Sequence, residues 1–161
     1  MAEKITLAEY RSLAELRHRI RQFLQEGDVT ARQAGLEPQQ YLLLLAIRGL
    51  QEGQEATIRT LADWLSLRHH STVELIDRME ARGYVKRTRG KEDRRQVLVS
   101  LQPRGEKLLE RVVDQRIVEL RSNGRALVNT ISTLLQSRDG VGGKAAKRQS
   151  AARGRSPKSA G

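Results

Sequence analysis

The spacing of the apolar residues changes at Gly83. Before this glycine, the apolar residues between positions 73 and 79 cluster on one side of a helical wheel, which predicts a helix from about residue 69 or 70 to residue 82. After it, residues 84–88 have the composition of a short strand, and residues 96–101 alternate between apolar and polar side chains. Glycine commonly follows the last turn of a helix, so we expect the chain to pass here from a helix into a β-hairpin.

Two shorter helices are predicted on the N-terminal side of this helix. Pro38 suits the first turn of a helix whose body, residues 41–47, is apolar on all sides and is therefore expected in the core. Thr57 is placed to cap a second helix over residues 58–65, and residues 66–68 leave only a tight connection to the helix described above. The predicted order of helix, helix, turn, helix and two-stranded wing is typical of proteins that read DNA.

A long helix is predicted at each end of this region, which covers about residues 38–101. The first helix spans residues 6–26 and ends near Gly27, and the last spans residues 103–136, with a kink or break expected at Asn123–Gly124. The fold class is therefore mostly α (α+β), a winged helix-turn-helix between two long helices. Each long helix carries one narrow apolar stripe, which is typical of helices that pack on another helix. The stripes are Leu13, Leu16, Ile20 and Phe23 in the first helix, and Leu109, Val113, Ile117, Leu120, Leu127, Ile131 and Leu134 in the last.

One face of the predicted helix 69–82 is polar, of mixed charge, and suited to contact base edges in the major groove of DNA. Arg78 has the donor geometry for a guanine, and Glu74 is tolerable near DNA only where it accepts a hydrogen bond from a cytosine amino group. His70 and Ser71 lie close to the helix N-terminus, where they can reach either bases or phosphates, and backbone N–H groups there also attract phosphates. The alternative, an ordinary amphipathic helix with a solvated face, does not explain the tight turn before it or the basic hairpin after it.

The loop between the two predicted strands is basic. Residues 86–95 contain six Lys or Arg residues against two acidic ones, and a protruding basic loop suits the minor groove, whose negative potential attracts arginine. Arg89, Arg94 and Arg95 are the candidate contacts, and Asp93 is expected to orient the Arg95 guanidinium. In the alternative interpretation, Asp93 only shapes the turn and the arginines are solvated.

The charge of the chain points to a polyanionic partner. The 30 Lys and Arg residues against 19 Asp and Glu residues give a net charge of +11, which suits nucleic acid or an anionic membrane surface. Residues 140–161 contain six basic residues and no acidic one, and their Gly, Ala and Ser content predicts a disordered basic tail after a folded domain at 1–139. This tail either adds salt-dependent attraction to phosphates or only keeps the chain soluble.

Several classes of function are excluded by what the sequence lacks. Without cysteine there is no disulfide, thiol switch or Cys-ligated zinc. Catalytic and phosphate-binding motifs are missing, and the adjacent His69 and His70 point in different directions on a helix, so we expect no enzyme, metal or cofactor. No apolar run is long enough for a membrane span, and residues 1–9 lack the apolar segment of a signal peptide, which predicts a cytoplasmic protein.

Several segments of the chain resemble the MarR family of winged-helix transcriptional regulators, and the likeness spans about residues 42–120. The family implies a symmetric homodimer that is clasped by its N- and C-terminal helices. Such a dimer presents two recognition helices to a pseudo-palindromic operator in double-stranded DNA, with half-sites ~34–36 Å apart. The segments that carry the resemblance are residues 61–65 and 71–87, the wing motif with Asp93 and Arg95, residues 97–101, and Pro103 with Gly105 at the start of the last helix.

The resemblance also implies roles for individual residues. Ser71 and Thr72 match family residues that contact DNA at the start of the recognition helix. Arg95 matches the wing arginine that enters the minor groove, and Asp93 matches the acid that orients it. Glu74 stands where some relatives have an arginine that reads bases, and this departure leaves the operator sequence open.

The residues and the resemblance together predict a sequence-specific, homodimeric regulator of transcription, most often a repressor that blocks polymerase access, with activation as the other outcome. Many family members release DNA when a small aromatic anion binds between the dimer helices and the DNA-binding lobe, so such an effector is expected here as well. Tyr41 and Trp64 are the aromatic residues near the relevant segments, and both are expected to pack in the core. The alternative from a different class is a nucleoid-type winged-helix protein that coats DNA with little sequence preference.

Overall fold

The computed structural model describes residues 4–90, 93 and 95–152, and side chains as far as residue 136. Within these residues the chain is mostly helical and contains one antiparallel pair of strands, which confirms the predicted winged helix-turn-helix fold. Residues 24–120 form one compact unit, called the lobe below, and the rest of the described residues belong to a second unit. The elements are α1 (Leu7–Gln33), α2 (Pro38–Gly49), α3 (Ile58–Leu65), α4 (His69–Ala81), β1 (Val85–Arg89), β2 (Val97–Leu101) and α5 (Pro103–Ala152).

The core of the lobe is built from the apolar faces of its helices and hairpin. The apolar residues that the helical wheel placed on the inner side of α4 are buried or partly buried. In α2, Leu43 and Leu44 are fully buried, whereas Leu42 and Leu45 are 45% and 37% exposed. The expectation that α2 is buried on all sides is therefore wrong, because α3, α4 and β2 pack on this helix without surrounding it.

Gly27 lies inside α1 and does not end it. This glycine is buried, and a Cβ added here would lie 3.4 Å from Nε of Arg116 on α5. Arg116 is itself only 8% exposed, lies 3.8 Å from a carboxylate oxygen of Glu26, and forms a closer ion pair with Glu119. The predicted end of the first helix near Gly27 is thus wrong, because the missing side chain makes room for a buried arginine and not for a turn.

The true end of α1 is marked by Gly35. Its backbone has a left-handed φ of 86°, which glycine adopts without strain. The N–H groups of Gly35 and Leu36 donate hydrogen bonds of 2.9 Å to the carbonyl oxygens of Arg32 and Ala31. This pattern satisfies the last carbonyl groups of the helix and buries Leu36 in the lobe core.

The connection between α3 and α4 is a tight turn, as predicted. Thr57 caps α3, because its Oγ1 accepts a hydrogen bond of 3.0 Å from the N–H of Thr60. The helix ends at Ser66, whose φ of 53° is left-handed, and α4 begins at His69. Gly83, with a φ of 71°, then ends α4 as its position in the sequence predicted. These turns fix the direction in which α4 presents its outer face.

The two strands form the predicted wing. They pair in antiparallel register, with Arg87 opposite Val99. The wing is joined to the lobe because the N–H of Val99 donates a hydrogen bond of 2.9 Å to the carbonyl oxygen of Ala56. At the other end, the N–H of Gln102 donates a bond of 2.9 Å to the carbonyl oxygen of Tyr84, directly before α5. The base of the wing is thus fixed on two sides.

The helix α5 runs unbroken through Asn123 and Gly124, so the expected break is not found. A glycine inside a helix costs only ~1 kcal/mol relative to alanine, and the apolar residues on either side continue at helical spacing. The helical backbone continues to Ala152. The disordered basic tail over 140–161 stays a prediction, and residues 153–161 lie outside the described residues.

The predicted apolar stripe of α5 is divided between two roles. Leu109 is 3% exposed and Val113 packs against the lobe core, so the first part of the stripe belongs to the lobe. From Ile117 onward, most large apolar side chains of α5 are exposed, whereas Leu127 and Leu134 are partly buried. Among the described residues no helix is both long and apolar enough to cross a membrane. On the two long helices, the exposed large apolar residues are Leu7, Tyr10, Leu13, Ile20, Phe23, Leu24 and Val29 on α1, and Ile117, Val118, Leu120, Val128, Ile131 and Leu135 on α5.

Candidate nucleic-acid interface

The outer face of α4 is polar and exposed. His70, Glu74 and Arg78 are exposed, and Ser71 is partly exposed at the edge of the same face. Because His70, Glu74 and Arg78 are spaced four residues apart, they form a row along the helix. Leu75, on the inner side, is 2% exposed and holds the helix in the lobe core. The structure therefore brings these four predicted site residues together on one surface.

Thr72 does not lie on this surface. Its side chain is fully buried, and its Oγ1 donates a hydrogen bond of 3.1 Å to the carbonyl oxygen of Arg68. A buried hydroxyl that already donates a hydrogen bond within its own helix cannot contact a phosphate of DNA. This placement corrects the prediction for Thr72, whose side chain packs inside the lobe at the start of α4.

The N-terminus of α4 carries an arginine that sequence reasoning missed. Arg68 is the N-cap residue, is exposed, and makes no side-chain hydrogen bond to the first turn. The first N–H groups of the helix therefore have no side-chain cap and lie next to a guanidinium. A cation beside the positive end of a helix favours a phosphate oxygen. The sequence signal was an arginine where Ser, Thr, Asp or Asn usually stands.

The tip of the wing is closed by Asp93. Its Oδ1 accepts a hydrogen bond of 2.9 Å from the backbone N–H of Arg95, and its carbonyl oxygen accepts one of 3.0 Å from the N–H of Gln96. Gly90 fits the turn because a Cβ there would lie 2.7 Å from the carbonyl oxygen of Asp93. Asp93 thus shapes the turn through backbone contacts, as in the alternative interpretation, while the Arg95 side chain is exposed.

The other arginines of the hairpin differ in their positions. Arg89 is exposed at the end of β1, and the predicted contact Arg94 lies outside the described residues. Arg87 contacts α4: its Nη1 lies 2.7 Å from Oδ1 of Asp77 and 2.8 Å from Oε2 of Glu80. Arg87 therefore joins the wing to α4, and one of the six basic charges counted for residues 86–95 is neutralised there.

Glu80 receives two hydrogen bonds from the same residue. The backbone N–H of Arg87 donates to its Oε1 at 2.8 Å, and the guanidinium donates to its Oε2 at 2.8 Å. Both bonds lower the pKa of the Glu80 carboxyl in the folded protein, and the bond from the backbone N–H of Arg87 has the largest effect. The junction between β1 and α4 is therefore stabilised by the ionised form of Glu80.

The Glu80→Gln variant is expected to lose about 1–2 kcal/mol of unfolding free energy at neutral pH, because it removes a charge-assisted contact that is partly exposed. Since the pKa is lowered in the folded state, the contribution of Glu80 is fully present above its ordinary pKa of 4.5. It is lost as the pH falls through the lowered folded-state value. Chemical denaturation of both proteins at several pH values measures this difference.

The matched control for this variant is Asp77→Asn. Asp77 contacts the same guanidinium, but its side chain is 58% exposed, against 36% for Glu80. The loss from Asp77→Asn should be under ~1 kcal/mol, as for most exposed ion pairs. An equal loss in both variants, or a Glu80→Gln difference that persists at acid pH, would contradict the proposed junction.

A cavity of about 450 Å³ borders α4 beside Arg78. Its other walls are the last turns of α1 and the first turn of α2. Arg32 and Arg78 bring positive charge to this lining, and Asp28 and Glu37 bring negative charge. Arg78, a candidate base-reading residue, thus also faces a space that a small molecule can enter.

Comparison with known proteins decides the family. Residues 34–96 match the model of the MarR family. The chain is 32% identical over 106 residues to YsmB, an uncharacterized HTH-type transcriptional regulator of Bacillus subtilis (strain 168), and the match covers 66% of this chain and 70% of YsmB. The chain belongs to the MarR family of transcriptional regulators. As a member of the MarR family, it is a DNA-binding regulator of transcription and not an enzyme.

Solved structures of MarR family proteins share the fold. AbsC, a MarR family regulator from Streptomyces coelicolor, aligns with a TM-score of 0.65 at 18% identity over 88% of this chain and 99% of AbsC. CouR from Rhodococcus jostii RHA1, solved with p-coumaroyl-CoA bound, aligns with a TM-score of 0.60 at 25% identity over 82% of this chain and 94% of CouR. The α4 helix and the wing of this chain are therefore elements of the MarR winged-helix fold.

The two aromatic residues expected in the core differ in position. Tyr41 is partly buried against the lobe core, and burial raises the pKa of its hydroxyl, which the nearby charge of Arg116 partly offsets. Trp64 is 52% exposed on α3. The expected core position of Trp64 is wrong, because α3 buries only the face that carries Leu61 and Ala62.

Proposed function

We propose that this MarR family protein is a homodimeric, cytoplasmic repressor that binds a pseudo-palindromic operator and blocks transcription. In each subunit α4 enters the major groove and the wing lies along the adjacent minor groove. The observation that carries this proposal is the contact of Arg87 with Asp77 and Glu80. It fixes the exposed face of α4 and the base of the wing relative to each other, so both can meet one duplex in a single register.

The proposed contacts fall into two classes, because phosphate contacts position a protein and base contacts specify the sequence. The N-terminus of α4 and the wing carry exposed positive charge for the DNA backbone and the minor groove. Farther along α4, Arg78 supplies donors and Glu74 an acceptor for base edges. The positioning residues are Arg68, His70, Ser71, Arg89, Arg94 and Arg95, with Asp93 shaping the wing, and the base-reading residues are Glu74 and Arg78.

A second copy of the chain is the proposed partner of the long helices. Most of the large apolar side chains that are exposed lie on α1 and α5. A soluble monomer rarely leaves an extended apolar surface uncovered, and a two-fold dimer covers such a surface with its own counterpart. Two subunits joined in this way present two copies of α4, which matches a two-fold symmetric site in DNA.

A small aromatic anion is proposed to lower the affinity for DNA. The cavity beside Arg78 has the volume of a small-molecule site, and its Arg32 offers a partner for a carboxylate. CouR, at 25% identity, holds p-coumaroyl-CoA, which contains an aromatic group. A ligand in this cavity would touch a base-reading side chain, so its binding and that of DNA would be coupled.

Two arginine variants test the proposed division of contacts. Arg95→Ala is expected to weaken binding to all sequences and to reduce the salt slope of log affinity by about 1, because it removes one phosphate-directed charge. Arg78→Ala is expected to cost ~1–3 kcal/mol on the preferred sequence and to relax the choice of base. Fluorescence anisotropy with operator and scrambled duplexes at several salt concentrations measures both effects.

Arg125→Ala is the matched control, since Arg125 is an exposed arginine of α5 outside α4 and the wing. It removes the same charge and should change neither the salt slope nor the preferred sequence. If Arg95→Ala binds the operator as tightly as the wild type, the role of the wing is wrong.

The alternative, a nucleoid-type protein that coats DNA, is tested by deleting residues 140–161. These residues carry six basic side chains and no acidic one. A regulator should keep its preference for one sequence after the deletion, with a moderate loss of total affinity. Loss of nearly all binding, with no sequence preference left, would favour the coating protein.

A further inference from the structure

A second cavity lies at the start of α5, on the side where the turn after α1 meets the helix. Its volume is about 300 Å³. Three cationic side chains contribute to its lining, and no acidic residue does. The remaining lining residues are small, apolar or aromatic. The complete lining is Ala34, Gly35, Tyr84, Arg104, Lys107, Leu108 and Arg111.

The three cations converge because of their spacing on the helix. Arg104, Lys107 and Arg111 are three and four residues apart, which places them on one face of α5. Among the ion pairs of the described residues, none involves these three side chains. Glu106, which precedes Lys107 in the sequence, instead lies 3.4 Å from Arg48 on α2. The positive charge of this face is therefore not neutralised from within the lining.

Arg104 is held in place by the body of the lobe. Its guanidinium carbon lies 5.4 Å from the centre of the Tyr84 ring, and its Nη1 donates a hydrogen bond of 3.3 Å to the carbonyl oxygen of Arg82. The backbone N–H groups of Ala34 and Gly35 are already bonded within the end of α1. Any anion in this cavity would thus be bound by side chains, one of them already oriented.

We propose that this cavity binds a small oxyanion with two or more negative charges, such as a phosphate ester or a polycarboxylate. Three cations match more than one negative charge, and guanidinium groups pair with phosphate or carboxylate oxygens in the same forked geometry. The volume corresponds to that of about ten water molecules, which admits a small anion of the size of pyrophosphate or citrate. The site is separate from the row of α4 and from the wing tip, and it does not rest on the proposed operator binding.

Calorimetric titration of the full chain with pyrophosphate, and separately with citrate, at about 0.15 M salt tests this site. The wild type is compared with Lys107→Gln/Arg111→Gln, which neutralises two exposed cations of the cavity. The matched control is Arg121→Gln/Arg125→Gln, which removes two exposed charges farther along α5. Thermal melting of each variant shows whether it is folded.

The cavity variant is expected to bind at least one of the two anions about tenfold or more weakly than the wild type, while the control binds as the wild type does. The anion that shows this difference identifies the phosphate or the carboxylate class. Equal affinities in all three proteins, or no binding in the wild type, would overturn the proposal. It would also be overturned if the cavity variant lost affinity only for duplex DNA, because the cations would then serve the DNA backbone.

Discussion

The Ile20→Asp variant is expected to be a monomer in solution and to bind the operator at least ~100-fold more weakly than the wild type. Ile20 is 42% exposed in the single chain and belongs to the apolar stripe of α1. A carboxylate there is solvated in the monomer, but it would be buried without a partner in a dimer that is closed over this stripe. With one subunit left, only one half-site is read. Analytical ultracentrifugation and anisotropy on the same samples measure both effects.

His18→Asp is the matched control for the dimer. His18 is exposed and lies two residues from Ile20, so it points to the opposite side of α1. The new acid should leave both the mass in solution and the operator affinity close to those of the wild type. If the Ile20→Asp protein were still a dimer, the subunit contact would not lie on this stripe of α1. If it were a monomer with full operator affinity, operator binding would not require two subunits.

Gly105→Ala is expected to destabilise the lobe by about 3 kcal/mol, the upper range for an overpacked site. A Cβ at this position would overlap the carbonyl oxygen of Tyr84 and lie 3.0 Å from its carbonyl carbon. These are backbone atoms, so the overlap is relieved only if the start of α5 moves away from the strand that follows α4. Chemical denaturation measures the loss of unfolding free energy. We also expect weaker DNA binding, because the contact between α5 and Tyr84 supports the base of the wing.

Gly49→Ala provides the comparison, because a Cβ at Gly49 meets nothing within 4 Å. At the end of α2 this change should be neutral or stabilising by up to ~1 kcal/mol, the usual gain from alanine in a helix. If Gly105→Ala proved as stable as Gly49→Ala, the close approach of α5 to Tyr84 would be wrong.

The order of the elements could be predicted from local patterns. Helical spacing before Gly83, alternation after it, and the positions of Pro38 and Thr57 are properties of neighbouring residues, and the structure confirms the elements that they predicted. The end of α1 could not be predicted in this way. Gly27 and Gly35 both suit a helix end, and what separates them is Arg116, a residue far along the chain that packs on Gly27.

The candidate nucleic-acid interface was also predicted only in part, because some of its residues are placed by contacts that are distant in the sequence. The exposed row on α4 follows from helical geometry alone, but the burial of Thr72 depends on how α4 is set into the lobe. Arg87 was counted with the basic wing tip because its charge is visible in the sequence, whereas its partners are set by the position of β1 beside α4. Residues that act through long-range contacts are the ones that sequence patterns leave out.

Selection of bound sequences from a pool of random DNA duplexes, at about 0.15 M salt, tests most directly whether two copies of α4 read an operator. The full chain is incubated with the pool, and the retained duplexes are sequenced over several rounds. We expect a two-fold symmetric motif whose half-sites are about one helical turn, ~34–36 Å, apart. Retained sequences with no common motif, or with a single unpaired half-site, would contradict a dimeric regulator that reads DNA through α4.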